Sequence, residues 1–176
     1  MPPIAPGNPA RRVKPDGRRR FHFIDESDDT VVTNLAAVTT AMLAESHDLS
    51  RYTPKDGWSG TPTFNKVANT DVTEVFDAED QGTWSFSPTW QLYIQVQDEN
   101  HSFELFSPAG LVGVLLEFWG LDLNTAPTEG DAYYAYRMRT SIPVPVPATT
   151  NENQRFSLDP AVLQAPEFSG TLVAGS

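Results

Sequence analysis

From Thr83 to Gln97 the chain alternates with a period of two. The even positions are Trp84, Phe86, Pro88, Trp90, Leu92, Ile94 and Val96, and the odd ones are Thr83, Ser85, Ser87, Thr89, Gln91, Tyr93, Gln95 and Gln97. A helix cannot use such a pattern, whereas a strand sends alternate side chains to opposite faces, so a β-fold with one apolar and one uncharged polar face is expected. At ~3.3 Å per residue a single strand over this run would span about 50 Å, well beyond a common strand. A strand of that length reaches past its own domain and pairs with another chain, which makes the polar residues Thr83, Ser85, Ser87, Thr89, Gln91, Tyr93, Gln95 and Gln97 candidates for an inter-subunit barrel strand. Pro88 has no N–H to give to a ladder, so the alternative is two ordinary strands that meet at a bend there.

A second alternating run spans Ala132–Val146, with Tyr134, Tyr136 and Met138 on one face and Tyr133, Arg137 and Arg139 on the other. It ends in Pro143-Val144-Pro145-Val146-Pro147, a sequence suited only to a sheet edge or an extended connector. Leu111–Trp119 is nearly all apolar and reads as a buried strand. Shorter strands are expected at Arg20–Ile24, Leu49–Thr53, Thr61–Val67, Gln154–Leu158 and Gly170–Ala174. Helix is confined to Val38–Glu45, capped by Asn34 or Thr33, and a turn at His101–Phe106. The expected fold is therefore mainly β: a β-sandwich or flattened barrel with one or two short flanking helices and a long β-hairpin.

With 176 residues the chain is of single-domain size, and its net charge of −11 is unevenly spread. Residues 1–20 hold Arg11, Arg12, Lys14, Arg18, Arg19 and Arg20 against the single acid Asp16, a sum of +5. Residues 21–176 then sum to −16. Prolines 2, 3, 6, 9 and 15 favour an extended arm over a helix. The chain thus divides into an extended N-terminal arm, 1–20, and a β domain, 21–176, with the basic arm suited to docking on an acidic body. Such a body cannot grip DNA phosphates, which argues against a transcription factor or nuclease; it can face DNA without sticking to it.

Chemistry is scarce. Cysteine is absent, which excludes disulfides, thiol nucleophiles and Cys-type metal sites. His22, His47 and His101 lack ligand spacing, and no nucleophile elbow or Gly-rich phosphate loop occurs. Asp77-Ala78-Glu79-Asp80-Gln81-Gly82 begins like a calcium loop, but Pro88 stands where that loop needs Glu. No catalytic residue, cofactor or metal is expected. Of the four tryptophans, Trp84, Trp90 and Trp119 lie in apolar runs and are assigned to the core. Trp58, in a D-G-W-S-G turn, is the candidate for an exposed contact.

Around Leu49–Gln97 the motifs D-L-S-x-Y-T-x-K-D-G-W and N-K-V-A-N-T-D-V-T-E-V-F-D-A-E-D-Q-G-T-W-S-F-S-P-T-W-Q-L-Y-I-Q stand in order. With the short helix at Val38–Glu45, the loop Asp71–Gly82, the helix-then-glycine stretch His101–Gly110 and the N-x-x-x-R-F-x-L strand of Asn151–Leu158, the chain resembles the major tail, or tail tube, proteins of long-tailed bacteriophages, especially those infecting actinobacteria. The likeness covers about residues 20–174; the arm and Pro143–Pro147 depart from it. It implies a structural virion protein in the phage tail, assembled in the host cytoplasm. It further implies hexameric rings stacked into a tube, inner strands closing a shared β-barrel, and arms bridging rings through Arg11, Arg12, Lys14, Arg18, Arg19 and Arg20. Double-stranded DNA passes the lumen unbound, a tape-measure protein and a tail terminator are the other partners, and no membrane is involved. Asp98, Glu99, Glu104 and Glu117 are lumen candidates. The alternatives are a tail terminator or connector ring, or a carbohydrate-binding β-sandwich using Trp58.

Overall fold

In a computed structural model the described residues are 19–27, 31–69, 78–95, 101–108, 110–122, 124–148, 150 and 152–175. Three strands rich in aromatic and aliphatic residues form the centre: β1 (Arg19–Asp25), β7 (Val112–Trp119) and β8 (Ala132–Arg139). β7 pairs antiparallel with both neighbours, in a register that sets Leu116 against His22 and Leu115 against Tyr136. Gly120, at φ 85°, lets the chain leave β7 in the left-handed region that other residues resist. The short strand β2 (His47–Asp48) closes the β1 edge. Beyond β8, strands β11 (Ala161–Val162) and β12 (Glu167–Thr171) share its outer edge.

Both faces of this sheet are covered, so its strands are buried nearly throughout instead of alternating. One face sends Phe21, Phe23, Leu115, Tyr136 and Met138 against a second sheet. That sheet is ordered β3-β6-β10-β9, made of β3 (Trp58–Ser59), β6 (Thr89–Tyr93), β10 (Arg155–Leu158) and β9 (Val144–Val146). Trp90 and Leu92 of β6 and Phe156 and Leu158 of β10 meet the first sheet there, and helix α2 (His101–Phe106) adds Phe106. The other face sends Ile24, Val114, Leu116, Phe118 and Tyr133 against Val32, Leu35, Val38, Leu43 of helix α1 (Thr40–Ala44) and Leu172. The result is a β-sandwich with a third, helix-and-loop layer.

The third layer is fastened by backbone. Thr171 N–H donates to the Ala36 carbonyl and Val173 N–H to that of Val38. The Tyr133 hydroxyl accepts from Val38 N–H at 2.7 Å and donates to the Leu35 carbonyl at 2.9 Å. Tyr133→Phe keeps the ring but leaves a buried N–H unpaired, so a loss of about 2 kcal/mol in urea unfolding is expected; an unchanged midpoint would show that the layer is held by packing alone.

The long alternating run is not one strand. It splits into β5 (Ala78–Phe86) and β6, which lie in different sheets, with Ser87-Pro88 between them. Proline's missing N–H and fixed φ decide this: the ladder stops where it can no longer be paired. β5 instead forms a hairpin with β4 (Pro62–Asn69), from Pro62 opposite Phe86 to Asn69 opposite Ala78. Among the described residues these two strands pair only with each other. The second run likewise divides, into β8 and β9. Helix α1 is shorter than expected and is capped by Thr39, whose Oγ1 accepts from Met42 N–H at 3.2 Å; Asn34 makes a tight turn onto Ala36 instead. Leu49–Thr53 is a turn, not a strand, because its carbonyls and hydroxyls bond locally. The C-terminal strand sits earlier, at β12.

Candidate assembly surfaces

The hairpin is the first surface. An isolated two-stranded ribbon is marginally stable in water, so one that leaves its sheet marks a place where something else completes it. On β4 and β5, Phe64 and Trp84 face each other across the strands with ring centroids 6.2 Å apart, yet are 47% and 39% exposed. Among the described residues the aromatic pair has no sheet opposite it to bury against.

The second surface is a cleft at the hairpin's root, where β3, β7, β8 and β12 meet, of about 440 Å³. Its wall is a chain of rings. Phe86 stacks on Tyr136 at 5.5 Å, Tyr136 meets Phe168 at 6.1 Å, Phe168 meets Tyr134 edge-on at 5.4 Å, and Tyr134 meets Trp119 at 6.2 Å. Trp119 and Phe168 remain 38% and 48% exposed. An adjoining hollow on the other side of Phe86 is lined by Trp84 and Leu163.

The cleft floor holds an ion pair. Arg19 Nε donates to Glu117 Oε1 at 2.7 Å and a second guanidinium nitrogen donates to the same oxygen. The Tyr136 hydroxyl donates to Oε2 at 3.2 Å, and the guanidinium lies 4.3 Å from the Trp119 ring centroid. Burial raises the Glu117 pKa, against the opposing pull of Arg19, Tyr136 and Trp58. Burial and the Glu117 charge raise that of Tyr136 as well.

The third surface is the β9 edge. β9 pairs through Val146 opposite Arg155, Pro145 opposite Phe156 and Val144 opposite Ser157. Pro145 has no N–H, so the ladder runs through Val144 and Val146, and the backbone of Pro145 faces away from β10. Ile142 and Val144 are 64% and 59% exposed.

The residues expected from sequence fall as follows. Thr83 and Ser85 lie on β5; Thr89, Gln91 and Tyr93 lie on β6; Ser87 is in the connection and Gln95 follows β6. They do not form one ribbon. Gln97, Asp98, Glu99, Arg11, Arg12, Lys14 and Arg18 lie outside the described residues. Arg19 and Arg20, assigned to the arm, are in β1 and paired within the protomer: Arg19 with Glu117, and Arg20 with Asp48 and the Thr125 carbonyl. Glu104 is exposed on α2, whereas Glu117 is 1% exposed and is an internal partner, not a surface charge.

The tryptophans are largely inverted. Trp58 is 7% exposed, because Gly57 lets the turn lie flat on the sheet, where Gln91 N–H reaches its carbonyl at 2.6 Å; a Cβ on Gly57 would sit 2.6 Å from Pro54 Cδ. A sugar-binding reading loses the residue it rested on. Trp84 and Trp119 are exposed; only Trp90 is core as expected. Sequence reasoning missed the cleft. Its one available signal was Phe168, a lone large ring among Pro166, Ser169 and Gly170.

Comparison with known proteins adds the context. Residues 8–175 match the protein family described as phage tail tube protein. Among solved structures, the chain is similar in fold to a chain of the cryo-EM structure of the anti-feeding prophage (AFP) baseplate, 6-fold symmetrised. That likeness has 12% sequence identity and a TM-score of 0.51, over 93% of this chain and 97% of that one. No curated protein matches the sequence. No helix among the described residues is long and apolar enough to cross a membrane.

Proposed function

The chain belongs to the phage tail tube protein family and is a structural subunit of the virion tail, and from that premise we propose that its copies form hexameric rings that stack into a hollow tube through which genomic DNA passes. The observation that carries this reading is a family match over nearly the whole chain, residues 8–175. The hairpin, which pairs with no other strand among the described residues, and the exposed aromatic cleft support it, since both are surfaces that a lone protomer leaves unfinished. We read the role as architectural, without catalysis. Tape-measure and terminator proteins are the further partners such a tube needs.

Residues 1–18 are proposed as the bridging arm, with Arg11, Arg12, Lys14 and Arg18 meeting the acidic body of a copy in the next ring; Arg19 and Arg20 act inside their own protomer. The body is proposed to begin at Arg19. A contact between unlike surfaces of identical copies repeats without limit, as a tube requires. The lumen wall is proposed to be acidic or neutral, with Asp98, Glu99 and Glu104 as its carboxylates, so that like charge keeps the DNA mobile.

Negative-stain microscopy of the purified protein is expected to show rings or tubes. A monodisperse monomer at all concentrations would sink the reading. Deleting residues 1–18 is expected to leave rings and abolish long stacks, and raised salt to shorten tubes of the intact chain. Tube length unchanged by the deletion would remove the arm from the account.

A further inference from the structure

We propose that the aromatic cleft of one copy seats the Ile142–Pro147 strip of the next, joining copies head to tail. The inference rests on the assembly reading above and goes beyond it by naming the two faces that meet.

Exposed apolar side chains point to these faces. The large ones among the described residues are Val31, Phe64, Trp84, Trp119, Ile142, Val144, Leu163 and Phe168. Trp119 and Phe168 line the cleft, Trp84 and Leu163 line the hollow beside it, and Phe64 rests against Trp84. Ile142 and Val144 form the strip. Only Val31 belongs to neither.

Charge selects the same pair. The chain carries a net −11, so copies repel one another over most of their surface. From Thr140 to Asn151 there is no ionisable side chain. The cleft has Arg19 and Glu117, which neutralise each other at its floor, and the hollow has no ionisable group. The strip and the cleft lining thus carry no net charge of their own.

Backbone chemistry fixes the manner of contact. At the middle of its free edge β9 offers the Pro145 carbonyl but no N–H, so it cannot extend a neighbour's sheet as an ordinary strand. Extended proline-rich segments are instead held by side-chain packing in aromatic-lined grooves. The order β3-β6-β10-β9 puts the strip on one edge of the second sheet and the cleft, which includes Trp58 and Ser59 of β3, at the other. A contact between opposite edges of identical copies is heterologous and closes into a ring when its rotation allows.

The absence of cysteine makes a clean test. Val144→Cys and Phe168→Cys change two exposed positions, one on each face. The double variant, mildly oxidised, is expected to give a ladder of covalent multimers on a non-reducing gel. Either single variant alone should give none, and the two singles mixed should give dimers only. Val144→Asp should abolish assembly while leaving the circular dichroism spectrum unchanged. Rings or tubes in the microscope without the ladder would overturn this inference and leave the assembly reading intact. Cross-linking of Val144→Cys to itself would mean an isologous contact and also overturn it. So would cross-linking of Phe168→Cys to Ala5→Cys, which would give the cleft to the N-terminal arm. No particles under any condition would remove both readings.

Discussion

Arg19→Met is expected to lower stability by about 3–5 kcal/mol at neutral pH, and by clearly less near pH 5. The reason is the asymmetry of the pair. Glu117 has a side chain 1% exposed, whereas that of Arg19 is 17% exposed. Methionine keeps apolar bulk beside Trp119 but takes away the guanidinium, leaving a buried carboxylate with only the Tyr136 and Trp58 donors. Burial already raises the Glu117 pKa, and losing Arg19 raises it further. A carboxyl whose folded pKa lies above its unfolded one is a burden above the folded value, relieved as pH falls towards the unfolded one. Acidification must therefore narrow the gap between variant and parent. Glu117→Gln is expected to be milder, because Arg19 keeps some water and its place over the Trp119 ring. Combining the two should recover much of the loss, since no unpaired charge then remains. Urea unfolding of the four proteins at two pH values decides it. A pH-independent Arg19→Met deficit, or a Glu117→Gln deficit as large, would mean that the pair is not the source.

How much of this was legible in the sequence depends on what each residue needed to be read against. The central strands were readable because Leu111–Trp119 is nearly all apolar and because Phe21, Phe23 and Ile24 crowd into one short run, whatever covers them. The family likeness was readable because turn and loop motifs keep their order along the chain. Periodicity runs through a bend at Pro88 as easily as through one long strand, so the pattern alone cannot choose between them. Burial of individual rings was less accessible. Trp119 and Phe118 are neighbours in one apolar run, yet one lines a cleft and the other closes a core, because successive residues of β7 face opposite sides of the sheet. Trp58 looked like a loop residue and is packed at 6.0 Å against Trp90, a contact across two strands that no local window contains. Glu117 reads as a lumen candidate from its place in a middle strand alone; its partner, Arg19, is 98 residues away. Paired charges of that kind are a product of register, which only the folded sheet supplies.

The second large effect expected is a loss of up to about 3 kcal/mol of stability as pH falls from neutrality to about 4, carried by His22. The residue is 6% exposed on β1, edge-on to Phe118 at 5.8 Å. Ser46 Oγ gives its proton to the Leu43 carbonyl at 2.6 Å, so the 3.0 Å contact between Ser46 Oγ and His22 Nδ1 requires the imidazole to donate there. Nε2 is then the site that would take a proton, and it is buried without a hydrogen-bond partner among the described residues. Burial pushes the pKa down from 6.5 to about 4; Asp48 pulls the other way, and Arg20 adds to the depression. The unfolded chain accordingly takes up a proton near 6.5 while the native chain resists until about 4. Stability is full above the first value and drains away between the two. Asp48 does not mimic this. Burial would raise its pKa, but Ser50, His22 and Arg20 together hold it below the usual 3.8, so its contribution is lost only below the histidine window. Glu117, shifted upward, acts with the opposite sign, so the parent curve alone understates the effect. His22→Asn retains a donor toward Ser46 and cannot titrate, and the difference between the two unfolding curves isolates the imidazole. The stability of the parent relative to the variant should fall steadily from pH 7 to 4; parallel curves would place the acid sensitivity elsewhere.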